Sequence, residues 1–278
     1  MKSLFDIAAP AKLNLFLHIV GRRPDGYHLL ESVFVLIDWC DTLHFELCQS
    51  AQISREDLIL PLPADDLIVR AAKALQKFSG NQCGAHIAVE KRIPSQAGMG
   101  GGSSDAASTL LALNRLWNTR LSLGQLMTLG LQLGADVPFF LGGRNAWIEG
   151  IGEKITPVEV PMAQFVVVKP AEGLNTRRIF LHPDLKRDTQ SATLPAFAEH
   201  TFDFGHNDFQ PVAMQLCPGV SHAIDWLKTL GLVGKMTGSG SAVFARTRRD
   251  VDLKDAPASF QIKTCQGLSV HPLLGWAV

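Results

Sequence analysis

Between Pro94 and Ser108 the chain reads PSQAGMGGGSSDAAS, with four glycines in the five positions Gly98 to Gly102. No other stretch limits the fold as much. A run this poor in side chains neither packs as a strand nor holds a helix interior, but it tolerates left-handed backbone and close approach of another group. Before it, Ala85, Ile87 and Val89 alternate with His86, Ala88 and Glu90, which predicts a strand. After it, two serines and an aspartate start a segment with Leu110, Leu113, Leu116 and Trp117 on one helical face. Strand, glycine turn and helix in that order aim bare N–H groups from the positive end of a helix at a common point. That is an anion site, and its simplest occupant is a phosphate chain.

Three familiar phosphate or nucleophile turns are excluded. No lysine follows the glycines, as G-x-x-x-x-G-K-[ST] requires. A dinucleotide-binding turn lies near a first strand with an acidic residue about twenty positions later, whereas this run lies far into the chain and the segment after it is helical and apolar. Neither this run nor Thr237–Ser241 contains G-x-S-x-G. A flexible linker would not lead straight into a patterned helix.

The basic and acidic residues balance at 26 each, so no broad field draws in nucleic acid or an anionic membrane. Attraction for an anionic ligand must be local. Cys40, Cys48, Cys83, Cys217 and Cys265 are scattered and odd in number. That argues against a disulfide framework or zinc site and suits a reducing cytoplasm. No run approaches the roughly 18 apolar residues that span a bilayer, and the first residues do not read as a secretory leader.

At 278 residues the chain is long enough for two domains. A Pro- and Val-rich link at 157–161 divides it into residues 1–158 and 159–278. Residues 10–20 alternate as a strand, and Gly21 to Gly26 form a turn. Val33–Asp38 and Thr42–Leu47 read as two further strands with a polar link. Asp65-Asp66 open a helix that Gly80 closes. Ser122 and Gln125 form a capping box ahead of a second helix that stops at Gly134. Further on, Phe165–Val168 and Ala242–Ala245 read as strands, Ser221–Leu230 as a helix, and 182–206 as loop. The tail is weakly patterned. Strands and helices cluster rather than alternate, which implies an α+β architecture.

Four further features stand out. Lys12 occupies a strand position among buried leucines, either solvated or functional. Asp136 follows a helix-ending glycine and precedes Val-Pro-Phe-Phe-Leu, either as a turn former or as a carboxylate at a core edge. Tyr27, the single tyrosine, adjoins His28 after the turn. The loop Thr237–Ser241 is either a plain turn or a backbone lid over a ligand.

Together the motifs resemble one superfamily, the kinases named for galactokinase, homoserine, mevalonate and phosphomevalonate kinases. Pro94 through Ala107 is similar to its nucleotide-binding signature. The stretches Pro10–Leu15, Gly26-Tyr27-His28, Leu133–Phe139, Gly150–Glu153, Asn207-Asp208-Phe209 and Thr237–Ser241 are similar to one branch. That branch phosphorylates the 2-hydroxyl of a cytidine-diphosphate-linked methylerythritol in the non-mevalonate route to isoprenoids. The resemblance implies a two-lobed α+β fold with a ferredoxin-like carboxy-terminal lobe. It implies ATP as co-substrate, with Lys91, Pro94, Ser95, Gln96, Ala97, Gly98, Met99, Gly100, Gly101, Gly102, Ser103 and Ser104 around it. Mg²⁺ is expected with the nucleotide, Ser104 being its candidate protein ligand. Lys12 and Asp136 match the catalytic pair. Tyr27 and His28 match the cytidine-binding positions, with Phe180 as stacking partner, and Asn14 and Thr176 match contacts to the methylerythritol diphosphate.

The sequence departs from that pattern in three places. Asp66 stands where an Asn is usual, and an ionised Asp only accepts. A contact to an adenine ring nitrogen is lost there, and Lys91 is the expected substitute. Leu181 follows Phe180 where a lysine is common. The stretch beyond Arg248 is short for a helix. A diphosphomevalonate decarboxylase is disfavoured by Tyr27-His28 and the extra glycines, and a silent nucleotide-binding paralogue by the presence of both Lys12 and Asp136.

Overall fold

The computed structural model describes residues 2–277. The long strands β1 (Ser3–Arg22) and β2 (His28–Cys48) form an antiparallel hairpin that runs through the middle of the molecule. Residues 33–47, expected as two strands, form part of one. The polar link is a bulge, because the register passes from Pro10↔Cys40 to Ala11↔Ile37 and leaves Asp38 and Trp39 unpaired on β2.

Strand β3 (Ile53–Asp57) runs parallel to β4 (Gly84–Glu90), and helix α1 (Leu67–Ser79) joins them. Asp66 caps α1 by accepting from the Val69 amide, and Gly80 closes it in the left-handed conformation. The glycine run leads into α2 (Gly101–Leu116), which is buried on nearly every side from Ser104 onward. Its cap is Gly100, at φ 72°, with no side-chain hydrogen bond. Ser103, Ser104 and Asp105 therefore lie inside the helix and leave its first amides uncapped. Helix α3 (Leu123–Leu133) starts at the capping box. The short α4 (Val137–Gly142) follows Asp136, and β5 (Ala146–Gly150) and β6 (Lys154–Pro157) extend the sheet from β2.

The remaining elements are β7 (Gln164–Pro170), α5 (Thr176–Phe180), α6 (Leu194–Glu199), α7 (Gln210–Leu216), α8 (Pro218–Thr229), β8 (Lys235–Met236), β9 (Val243–Thr247) and β10 (Phe260–Leu268). Helix α6 falls in the stretch expected as loop. Strands β10, β7, β9 and β8 lie side by side, all antiparallel, in the fourth-first-third-second order of a ferredoxin-like sheet. The helix that would join β9 to β10 is absent, as the short stretch after Arg248 suggested.

Strand β10 lies in the tail that patterning left open. Gly267 and Leu268 also pair with Ile37 and Leu36 of β2, so the two sheet regions are continuous. Beyond β10 the chain returns to the first region, where Leu273 and Trp276 pack against the core around α2. All five cysteines are free thiols. Among the described residues no helix is long and apolar enough to cross a membrane.

Candidate active site

The glycine run is folded so that two positions require glycine. Gly98 and Gly100 sit at φ 73° and 72°. A Cβ on Gly98 would lie 2.3 Å from the Thr237 carbonyl and 2.8 Å from the Gly240 amide. The loop 237–241 thus rests directly on the glycine run and is more than a plain turn between helix and strand. Ser241 N and Ala242 N donate to the carbonyls of Gln96 and Ala97 at 3.1 and 3.2 Å. Asn207 secures the loop from beneath, donating to Met236 O and Gly238 O at 2.8 Å each.

Lys12 lies beside the cradle, its backbone amide bonded to Met99 O at 2.9 Å. The bulge after Pro10 turns its side chain into the interior, where only 5% of it is exposed. The ammonium donates to Asn14 Oδ1 at 2.5 Å, faces Asp136 Oδ2 at 3.7 Å and lies 4.3 Å from the Phe34 ring centre. Burial lowers its pKa, and Asp136 opposes that shift. Asn14 is fixed in turn by Ser32 and Thr237 at 2.9 Å each. Asp136 reaches this point because Gly134 ends α3 and α4 starts at once; its own side chain caps nothing and remains one-third exposed.

A cleft of about 450 Å³ opens over the glycines. Pro94 to Gly102 line it, together with Asp66, Lys91, Asp105, Thr176 and Ser239. Ser103 and Ser104 do not. Ser104 is fully buried and its hydroxyl has no hydrogen-bond partner. Ser103 lies toward Gly134. Asp66 already caps α1 and pairs with Arg55 at 2.6 Å.

Lys91 is also engaged. Its ammonium sits between the buried carboxylates of Asp41 and Asp105, and the two hold its pKa above the ordinary lysine value against the cost of burial. It borders the cleft as the centre of an ion cluster rather than as a free substitute for the amide missing at Asp66. Burial, with Asp41 alongside and Lys91 opposing, pushes the Asp105 carboxyl up to about 8. Asp41 accepts hydrogen bonds from the amides of Arg92 and Ile93 at 2.5 and 2.8 Å. Sequence spacing carried no signal for Asp41, fifty residues from Lys91.

A second cavity, about 620 Å³, holds Tyr27, His28 and Phe180 with Arg22, Arg177 and Leu181. His28 and Phe180 stack at 4.9 Å between ring centres, 24° apart. Tyr27 stands 60% exposed at the mouth. Thr176 is not in this cavity; it lines the glycine cleft and shares a 2.7 Å hydrogen bond with Ser239. Helix α5 begins with Thr176 at one cavity and ends with Phe180 at the other, about 6 Å along its axis.

A lysine–carboxylate pair beside a glycine cradle, on an α+β fold with a ferredoxin-like sheet, defines an ATP-dependent small-molecule kinase. The comparisons agree: residues 66–144 match the GHMP kinases N terminal domain and residues 185–262 match GHMP kinases C terminal. The 4-diphosphocytidyl-2-C-methyl-D-erythritol kinase of Albidiferax ferrireducens is 66% identical over the whole of this chain and 97% of its own length. The chain belongs to that kinase family. A crystal structure of 4-(cytidine 5'-diphospho)-2C-methyl-D-erythritol kinase superposes with a TM-score of 0.79 at 32% identity, covering 95% of this chain and 98% of the other. A mevalonate kinase of Methanococcus jannaschii shares the fold, with a TM-score of 0.68 at 16% identity over 96% of this chain and 98% of the other.

Proposed function

We propose that the protein transfers the γ-phosphoryl group of ATP to the 2-hydroxyl of 4-diphosphocytidyl-2-C-methyl-D-erythritol. The observation that carries this reading is the pair of cavities joined by α5, one glycine-lined and one aromatic, with Lys12 and Asp136 beside the first. The chain works as two lobes, 1–158 holding the nucleotide and 159–278 supplying α5 and the loop 237–241. The five free thiols suit a reducing cytoplasm.

Phosphoryl transfer asks for positioning and charge neutralisation. The uncapped amides after Gly98 hold the triphosphate at the positive end of α2. Asp136 takes the proton from the acceptor hydroxyl. That oxygen then bonds to the γ-phosphorus as the bond to the β-phosphate oxygen breaks, leaving ADP. Lys12 keeps its ammonium toward the hydroxyl and offsets charge on the transferring group. Asn14 orients Lys12 and, with Thr176, meets the methylerythritol diphosphate. Tyr27, His28 and Phe180 receive the cytosine.

When bound with ATP, Mg²⁺ would neutralise charge on the phosphate oxygens. Among the described residues no cluster of three carboxylates, histidines or thiols could hold a metal unaided. The unpartnered Ser104 hydroxyl, in the first turn of α2, has the right chemistry, but it is fully buried and outside the cleft lining, so it would reach a nucleotide-bound ion only from beneath. Phosphate oxygens and water would complete the set.

A coupled assay of ADP release tests the reading. Turnover is expected with the cytidine-linked acceptor and not with mevalonate or its phosphates. Equal turnover with bare methylerythritol phosphate would overturn it.

A further inference from the structure

Arg187 lies outside every motif discussed above, on the stretch between α5 and α6. That stretch is anchored by buried Leu185 and by the Thr189 amide, which donates to Ile19 O at 3.0 Å. The guanidinium makes four hydrogen bonds. Its terminal nitrogens donate to Leu185 O at 2.8 Å, Phe180 O at 3.1 Å and His182 O at 3.0 Å. Its Nε donates to His28 Nε2 at 3.1 Å. One side chain therefore ties together both residues of the stacked pair in the aromatic cavity.

The fourth bond has a chemical consequence. A guanidinium N–H donates and never accepts. His28 Nε2 must then present its lone pair, so the neutral ring carries its proton on Nδ1. Nδ1 has no hydrogen-bond partner among the described residues, so this N–H is available to the cavity. We propose that Arg187 is a positioning residue for pyrimidine recognition: it fixes His28 as the neutral Nδ1–H tautomer stacked on Phe180, so that the ring offers a donor to an acceptor atom of the base.

The surroundings support this assignment. Burial first, then Arg187 and Arg22, lower the His28 pKa. Arg177 also lines the cavity, and no carboxylate does. An imidazolium would lose the Arg187 bond and face three arginines. Cytosine presents acceptors at O2 and N3, which suits a fixed donor and not a ring that rotates or charges.

The inference rests on the proposed substrate, but its first test does not. Nitrogen-15 NMR of the substrate-free wild type reads the His28 tautomer and titration directly. A Nδ1–H ring titrating below the ordinary histidine value is expected. A Nε2–H ring, or titration at or above that value, overturns the proposal, whether or not the kinase reading survives. In Arg187→Gln the tautomer should shift toward Nε2–H and the titration should move up. KM for the cytidine-linked acceptor should rise about tenfold, most at acid pH, with kcat and KM for ATP unchanged. Arg187→Lys keeps a donor and should restore most of that KM. Loss of kcat and both KM values together in Arg187→Gln, unrelieved by lysine, would mean a merely structural role and overturns the proposal. No turnover of the acceptor by the wild type, beside the expected tautomer, would instead count against the substrate assignment.

Discussion

Replacing Gly98 by alanine should damage the contact between the glycine run and the loop 237–241. The residue sits at φ 73°, where an L side chain costs roughly 1–2 kcal/mol. The added Cβ would lie 2.3 Å from Thr237 O, about 1 Å short of an ordinary contact. Neither partner can move freely, because both are backbone. To make room the loop 237–241 must retreat, and the Ser241–Gln96 and Ala242–Ala97 hydrogen bonds stretch with it. Two such bonds at about 1 kcal/mol each bring the expected loss of stability to about 3 kcal/mol. A 1 Å retreat also displaces Thr237 from Asn14, and through it Lys12. A misplacement of that size can cost about 10²-fold in rate. Gly80 supplies the control: it has φ 66°, but nothing lies within 4 Å of its added Cβ. Gly80→Ala should lose about 1 kcal/mol and keep full activity. Chemical denaturation and steady-state ADP release on both variants measure the difference. If Gly98→Ala loses no more stability and no more activity than Gly80→Ala, the loop does not rest on the cradle as described.

Three other outcomes are expected. Asp136→Asn and Lys12→Ala should each lower kcat by about 10²–10⁴-fold with unchanged circular dichroism; near wild-type rates in either would refute the assigned roles. Phe180→Ala should raise KM for the cytidine-linked acceptor by about 10-fold or more while leaving KM for ATP alone, since stacking on a base is worth about 1–3 kcal/mol; an equal rise in both would place the base elsewhere. The Asp105 carboxyl, raised to about 8 in the folded protein, binds its proton more tightly folded than unfolded. Its ionisation therefore destabilises the fold increasingly as pH rises from the ordinary carboxyl range toward 8. Asp105→Asn removes that dependence, so its stability relative to wild type should climb over this window and level off above it. A constant difference across pH would show that Asp105 is an ordinary ionised partner of Lys91.

The local pieces follow from residue type. Gly80, the Ser122–Gln125 box and the Gly98–Gly102 run act within a few residues of themselves, so their caps and left-handed turns follow from residue type. The same holds for the glycine cradle's backbone shape and for the strand position of Lys12. Strand β10 escaped detection because its sides are half-covered and its pattern weak; its place is decided by pairing with β7 and β2, far away in the chain. Likewise β2 looked interrupted because a bulge and a strand break leave the same polar signature.

What the conspicuous residues touch depends on how distant parts of the chain pack together. Packing set the loop 237–241 on Gly98 and engaged Lys91 between two acidic side chains fifty and fourteen residues distant. It also put Thr176 in the cleft and Phe180 in the second cavity, and brought Arg187 to His28 across 159 residues. A cradle is a property of backbone conformation, which short-range sequence controls. A site made of charges and rings from separate strands exists only when the sheet has closed, and no local spacing encodes it.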